Sequence, residues 1–321
     1  MSRNRPIVIL VLACAALCMA GTVRNAAALQ QSLGPVSLYV QDHVTEGEAF
    51  MVTIRSPYPM PDIECLWEGR TIRTQAVRET GSGAHGFMAQ VLLGVGLVSR
   101  DDPPHSELFP LTIRVRGYEE VYTFTPTILR IPGDFPVQKL SLPRKYSHLS
   151  ADDLARTISE RADIQAALAT FTNERYWECP MRRPVPGEVS GVFGMKRFIN
   201  GEPRQQHGGV DMRGKYGTSV HACWEGRVIL TGEHFFAGRS VFVDHGQGVI
   251  SMYFHLSDIM IREGQRVMPG EVIGRVGSSG RVTGPHLHFG LSILGAAVDP
   301  MPLMQPACGV VLPKNFEGDT P

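Results

Sequence analysis

Gly284-Pro285-His286-Leu287-His288-Phe289 decides how the rest of this chain is read. In an extended strand the side chains of residues i and i+2 leave the same face. His286 and His288 therefore project side by side into one cleft. Upstream, His207-Gly208-Gly209-Val210-Asp211 offers a second pair, a histidine and an aspartate four residues apart, with glycines that remove side-chain bulk around them. Between the two stands Tyr253-Phe254-His255-Leu256. Seven of the 11 histidines of the 321-residue chain lie from His207 to His288, so they are concentrated where these patterns occur.

Imidazole nitrogens and a carboxylate oxygen suit zinc, and a catalytic zinc site takes three protein ligands and keeps a fourth position for water. The helical metalloprotease motif HExxH is absent, so a metal site here is borne on strands. His245 belongs to an Asp244-His245-Gly246 turn pattern and reads as structural, and His221 and His234 have no motif around them. The glycine-rich stretch 274–284 lacks Gly-Lys-[Ser/Thr] and no helix pattern follows it, which excludes a phosphate loop. It reads as a cleft wall on which an extended peptide lies against backbone.

Residues 189–300 resemble the lysostaphin-type (LytM-like) zinc metallopeptidases, which cut peptidoglycan. The resemblance is carried, in order, by Phe193-Gly194 with Arg197, His207-Gly208-Gly209-Val210-Asp211, Gly217-Thr218-Ser219-Val220 and Gly226-Arg227-Val228. It continues through Asp244-His245-Gly246-Gln247-Gly248, Tyr253-Phe254-His255-Leu256 and Gly264-Gln265-Arg266-Val267. Gly274-Arg275-Val276-Gly277 and Thr283-Gly284-Pro285-His286-Leu287-His288-Phe289 complete it. It implies an antiparallel β-sheet peptidase domain with one zinc ion per chain on His207, Asp211 and His288. It implies His286 as general base, and His255 as stabiliser of the tetrahedral intermediate or partner in proton delivery. Read from the residues themselves, Tyr253, Asn200 and Arg197 are candidate substrate contacts, with packing the alternative for Tyr253 and a turn-forming role the alternative for Asn200 and Arg197. The implied substrates are peptidoglycan stem peptides and cross-links, with envelope proteins as regulators. The alternative is a non-catalytic relative that binds and activates a cell-wall amidase; relatives of that kind typically lose zinc ligands.

Lys+Arg and Asp+Glu are both 31, so no bulk positive charge is present to hold polyphosphate, which argues against a nucleic-acid partner. Arg3 and Arg5 precede an apolar run from Ile7 to Ala20 and an Ala26-Ala27-Ala28 site. This is the layout of a secretory signal peptide covering residues 1–28, and the run is too short for the roughly 20 residues of a membrane span. Its removal takes away Arg3, Arg5 and Arg24 and no acid, leaving a net charge of −3. The expected location is the periplasm or the secreted cell envelope, with no stable membrane span after cleavage. Cys65, Cys179, Cys223 and Cys308 then remain, an even number compatible with two disulfides in any of three pairings; Cys223 with Cys308 is one option and free buried thiols are another.

The fold expected is mainly β. Residues 29–140 alternate with period two in Val36–Val40, Phe50–Ile54, Leu111–Val115 and Tyr122–Thr125, the signature of half-buried strands, and point to an immunoglobulin-like sandwich. Ser150 opens the one helix pattern, with Leu154, Ile158, Ile164, Leu168 and Phe171 at helical spacing, inside a connector at 141–178. The peptidase-like domain follows at 179–312, with a tail at 313–321.

Overall fold

The computed structural model describes residues 28–79, 86–98, 105–117, 120–141, 149–306 and 308. The signal-peptide expectation, apart from Ala28, and the tail at 313–321 lie outside the described residues. Among the described residues no helix is long and apolar enough to cross a membrane.

The chain is mainly β, as its alternating patterns require. The alternating runs of the N-terminal part fall in the strands Val36–Gln41, Ala49–Ser56, Thr112–Arg116 and Val121–Phe124. They belong to sheets of five, four and three strands that share a core around Trp67. That indole is 1% exposed, meets Phe50 edge-on at 5.3 Å, and donates its N–H to the Gly94 carbonyl at 3.2 Å. An indole so deeply placed needs such an acceptor, because an unpaired buried N–H is costly.

The C-terminal part is a ten-stranded sheet. Its central order is Val189–Gly191, Gly209–Arg213, His286–Ile293, Val249–Ile259, Gly238–Asp244 and Gly226–His234, every neighbouring pair antiparallel. This order puts the Asp211 strand beside the His288 strand, and the His288 strand beside the His255 strand, although they are far apart in sequence.

The two parts are not separate beads. Val137–Leu140, which the sequence pattern leaves in the N-terminal domain, pairs in parallel with Lys196–Ile199 of the C-terminal part. Phe135 stacks edge-on with Phe193 at 6.3 Å and lies against Gly194, where a side chain would collide with it. The Asp299 amide donates to the Gly47 carbonyl at 2.7 Å, and Gly94 packs beneath Val298 and Ile293.

The helix runs over Ala151–Leu168, with Ser150 as N-cap accepting from the Asp153 amide at 3.1 Å. Its expected apolar stripe is only half used. Ile164 and Leu168 pack on Phe242, Ile250 and Met252, whereas Leu154 and Ile158 are 51% and 62% exposed. Polar contacts hold the first half instead: Arg156 donates to the Glu233 carbonyl at 2.8 Å, and Glu160 accepts from the Phe235 amide at 2.7 Å.

Among the described residues the cysteines form one bond and two buried thiols. Cys179 is joined to Cys308, so the Cys223–Cys308 option does not apply, and Cys65 and Cys223 are free. Burial pushes the Cys65 thiol up to about 12 and the Cys223 thiol up to about 11. The bond closes a loop of 129 residues, and loop closure of that length is worth about 2–4 kcal/mol in practice. Reduction of the folded protein should therefore lower its unfolding free energy by about that amount in urea titrations. Of the cysteines from Cys65 onward, only Cys65 and Cys223 should take up iodoacetamide when the oxidised chain is unfolded; labelling of Cys179 or Cys308 would contradict the pairing.

Candidate metal centre and active site

Backbone register builds this site. Asp211 lies opposite His288, Arg213 opposite His286, and Phe254 on the far side of His288. Asp211 and Arg213 share one face of their strand, as do His286 and His288 of theirs, so the face carries two successive rows. His207, just before the strand, is fixed by two backbone bonds: its amide donates to the Met195 carbonyl and its carbonyl accepts from the Gly194 amide. Gly209 makes room for the cluster. A Cβ there would lie 2.5 Å from the Phe289 carbonyl oxygen and 2.8 Å from His288 Nε2.

His255 needs a special backbone. Its neighbour Phe254 already faces the cluster, stacked on the His288 ring at 5.1 Å, and regular alternation would turn His255 away. Instead His255 takes φ +64°, and the strand pairing slips on either side of it. A non-glycine residue in this region costs about 1–3 kcal/mol and persists only where its surroundings enforce it. Here the His255 amide donates to the Ala237 carbonyl at 2.8 Å and its Nδ1 to the Ser279 carbonyl at 3.0 Å. The ring then stands 5.0 Å from His286 and 6.0 Å from His288.

Three atoms converge at the centre. His207 Nε2 lies 2.9 Å from His288 Nδ1, and each lies 3.0 Å from Asp211 Oδ1. His207 Nδ1 donates to the Val192 carbonyl at 2.8 Å, which leaves Nε2 as a bare lone pair in the neutral ring. Asp211 can only accept. Burial alone would raise its carboxyl, but the two imidazoles beside it outweigh burial and hold it well below the usual carboxylate range. Burial lowers His288 to about 4, against the opposing pull of Asp211, so it is neutral near pH 7. Three ligand atoms, His207 Nε2, Asp211 Oδ1 and His288 Nδ1, thus converge, and a cation bound between them would satisfy all three. A tetrahedral zinc with bonds of about 2.0–2.2 Å needs donors about 3.3 Å apart, close to the spacing observed, so the donor set fits zinc.

Arg197, expected at the substrate, instead donates to Asp211 Oδ2 at 2.8 Å. It orients the carboxylate so that Oδ1 faces the histidines. Tyr253 is a correction. It is fully buried, its hydroxyl accepting from the Cys223 amide at 3.0 Å and from Ser251 at 3.1 Å, so it packs in the interior and does not reach substrate. Asn200 forms the exposed tip of the hairpin between Lys196–Ile199 and Glu202–Pro203, with φ +54° followed by Gly201 at +86°, the pair that a two-residue type I′ turn demands. His245 is structural: its ring is buried, bonded to the Glu225 carbonyl at 2.6 Å and Ser251 at 2.7 Å. The sequence reading gave Phe254 no role although it stands inside the Tyr253-Phe254-His255-Leu256 block, and the Ser279 carbonyl carries no side-chain signal at all. Arg213 had a usable signal, standing two residues beyond Asp211 on the same strand face.

Comparison with known proteins agrees with this geometry. Residues 205–300 match Peptidase family M23. A segment of 110 residues is 40% identical to the peptidoglycan DD-endopeptidase ShyA of Vibrio cholerae, covering 34% of this chain and 26% of that protein. Another of 118 residues is 38% identical to the DD-carboxypeptidase/endopeptidase Mpg of Neisseria meningitidis, covering 37% and 27% respectively. The chain therefore spans about a quarter of the length of these curated relatives. A crystal structure of a Pseudomonas aeruginosa protein assigned to peptidase M23 superposes with a TM-score of 0.58 at 29% identity, over 82% of this chain and 95% of that one. The chain thus carries a Peptidase family M23 domain over residues 205–300.

Two outcomes follow from the site. Arg197→Met should weaken zinc retention about 10- to 100-fold, the usual cost of losing a partner that orients a ligand, while the far-UV spectrum stays unchanged; unaltered retention in a chelator competition would show that Arg197 does not hold Asp211. Acid should also destabilise the metal-free protein. Burial lowers His245 to about 4 and His255 to about 3, against an ordinary value of 6.5. Groups with depressed values in the folded state bind protons preferentially when unfolded, so stability is complete above pH 6.5 and is lost as the pH falls towards 4 and 3. Urea unfolding at pH 7.5 and 5.0 should show the loss, and equal stabilities would contradict it.

Proposed function

We propose that this chain is a zinc-dependent endopeptidase that hydrolyses peptide cross-links of bacterial peptidoglycan in the cell envelope, with water as nucleophile. The observation that carries the reading is the convergence of His207 Nε2, Asp211 Oδ1 and His288 Nδ1 within 3.0 Å, beside two further histidines. A zinc ion held there would acidify a water and polarise the scissile carbonyl.

The chain's own groups supply proton transfer. His286 Nδ1 donates to the Gly284 carbonyl at 2.9 Å, so in the neutral ring Nε2 carries the free lone pair, 3.7 Å from Asp211 Oδ1. It takes the proton of the attacking water and returns it to the leaving amine. His255 has the same tautomer, because its Nδ1 donates to Ser279. Burial, reinforced by His288 and His286, lowers it to about 3, so it stays neutral and its Nε2 accepts a hydrogen bond from the water. An oxyanion donor would need the protonated ring, which burial opposes; His255 therefore orients the water. Proton transfer of this kind is worth roughly 10²–10⁴-fold in rate.

The amidase-activating alternative is not favoured, since all three metal-ligand positions and both accompanying histidines are present, and the curated relatives are named as endopeptidases. An envelope location accords with those relatives and with the signal-peptide pattern of residues 1–28. Envelope regulators remain part of the proposal's wider setting, with peptidoglycan as the primary partner.

Muropeptide mass spectrometry after digestion of purified sacculi tests the reading. The zinc-loaded protein should release un-cross-linked stem peptides from dimers, and His286→Ala should lower the rate by about 10²–10⁴-fold. Intact cross-links after treatment with the wild-type protein, or full activity in His286→Ala, would refute it.

A further inference from the structure

A cavity of about 490 Å³ opens beside the histidine cluster, lined by Arg213, Lys215 and Thr218 with Pro186, Pro285 and two glycines. No carboxylate lines it. Arg213 shares the strand face of Asp211 and lies opposite His286 in the sheet register. Directly opposed residues have Cβ atoms about 4.5–5.5 Å apart, so the root of Arg213 is adjacent to the residue proposed as base. Pro285, on the cavity wall, immediately precedes His286. The cavity thus continues the cleft along the face that carries the proposed chemistry.

The charge of this cavity is local. The whole chain balances 31 basic residues against 31 acidic ones, yet two cations stand here together. Arg213 and Lys215 are both exposed, and among the described residues neither side chain has an ion-pair or hydrogen-bond partner. Elsewhere the basic side chains of the C-terminal domain are repeatedly engaged, Arg197 by Asp211, Arg204 by Glu202, Arg239 by Glu233 and the Ser257 carbonyl. Two like charges facing one hollow repel each other, and an anion between them relieves that repulsion. The guanidinium fork matches a carboxylate, and charge-assisted bonds of this kind are about twice as strong as neutral ones.

We infer that Arg213 and Lys215 form an anion subsite that holds a free carboxylate of the substrate peptide next to the scissile bond. Building on the peptidase reading, this assigns the enzyme an acidic peptide as its substrate class. Peptidoglycan stem peptides offer carboxylates of two kinds, along the peptide and at its C-terminus, and both present the same chemistry to the cavity.

Binding of synthetic un-cross-linked stem peptides to the zinc-loaded chain, measured by calorimetry, separates these cases. Four forms are compared: all carboxylates free, only the C-terminal carboxylate amidated, only the internal ones amidated, and all amidated. The free acid should bind about 10- to 100-fold more tightly than the fully amidated peptide, and the half-amidated forms identify which carboxylate is held. In Arg213→Ala/Lys215→Ala the preference should fall to within about two-fold, whereas Arg161→Ala, a charge removal on the exposed face of the helix, should retain it. A wild-type protein indifferent to amidation, or a preference that survives in the double variant, would overturn the subsite. Cleavage of cross-linked dimers is scored separately. Discrimination in binding without cleavage would refute the peptidase reading alone, and cleavage without discrimination would refute the subsite alone.

Discussion

The two oxygens of Asp211 organise this molecule. Oδ2 is taken by Arg197, and Oδ1 meets His207 and His288 at 3.0 Å. A half-buried carboxylate with such partners stays ionised, and its charge beside two imidazoles makes a hollow suited to a cation. Much of the surrounding architecture bears on that one group. The strand carrying Asp211 sits between Val189–Gly191 and His286–Ile293. Gly191 leaves no side chain to collide with the carboxylate, and Gly209 leaves none to collide with His288. The N-terminal domain reaches the same group through its last strand, because Val137–Leu140 pairs with the strand that presents Arg197. The N-terminal part of the chain thus meets, through one short parallel strand pair, the strand whose Arg197 holds Asp211.

The second constraint is the left-handed residue at His255. A regular strand would place Phe254 or His255 over the cluster, but not both. The φ of +64° and the slipped pairing bring both there, one stacking on His288 and the other turned towards His286. Strain at a residue facing the proposed reaction centre is the usual pattern, with the cost met by the surrounding fold.

The parts of this arrangement that follow from strict periodicity were legible in the sequence. His286 and His288 share a face because they are two apart, and the pairing of His207 with Asp211 follows from a strand whose glycines leave space. The mainly β class followed from alternation, and the helix start from Ser150. What escaped was whatever depends on partners distant in sequence or on departures from regularity. Tyr253 follows regular alternation onto the face opposite Phe254 and so into the core, whereas the left-handed backbone at His255 turns that histidine to the cluster, a departure that no local pattern announces. Arg197 was assigned to substrate because nothing local shows that it lies within reach of a carboxylate 14 residues on. The disulfide partner of Cys179 lies 129 residues away, and only the folded chain selects it. Leu154 and Ile158 have helical spacing yet remain exposed, since periodicity states which residues share a face and not whether anything covers it.

The central claim is that His207, Asp211 and His288 hold one metal ion. Anomalous diffraction at the zinc edge, from crystals of the zinc-loaded protein, tests it most directly. A single peak within about 2.0–2.2 Å of His207 Nε2, Asp211 Oδ1 and His288 Nδ1 is the expected result. A zinc peak bound by other residues, or no peak between these three atoms in the zinc-loaded protein, would contradict it.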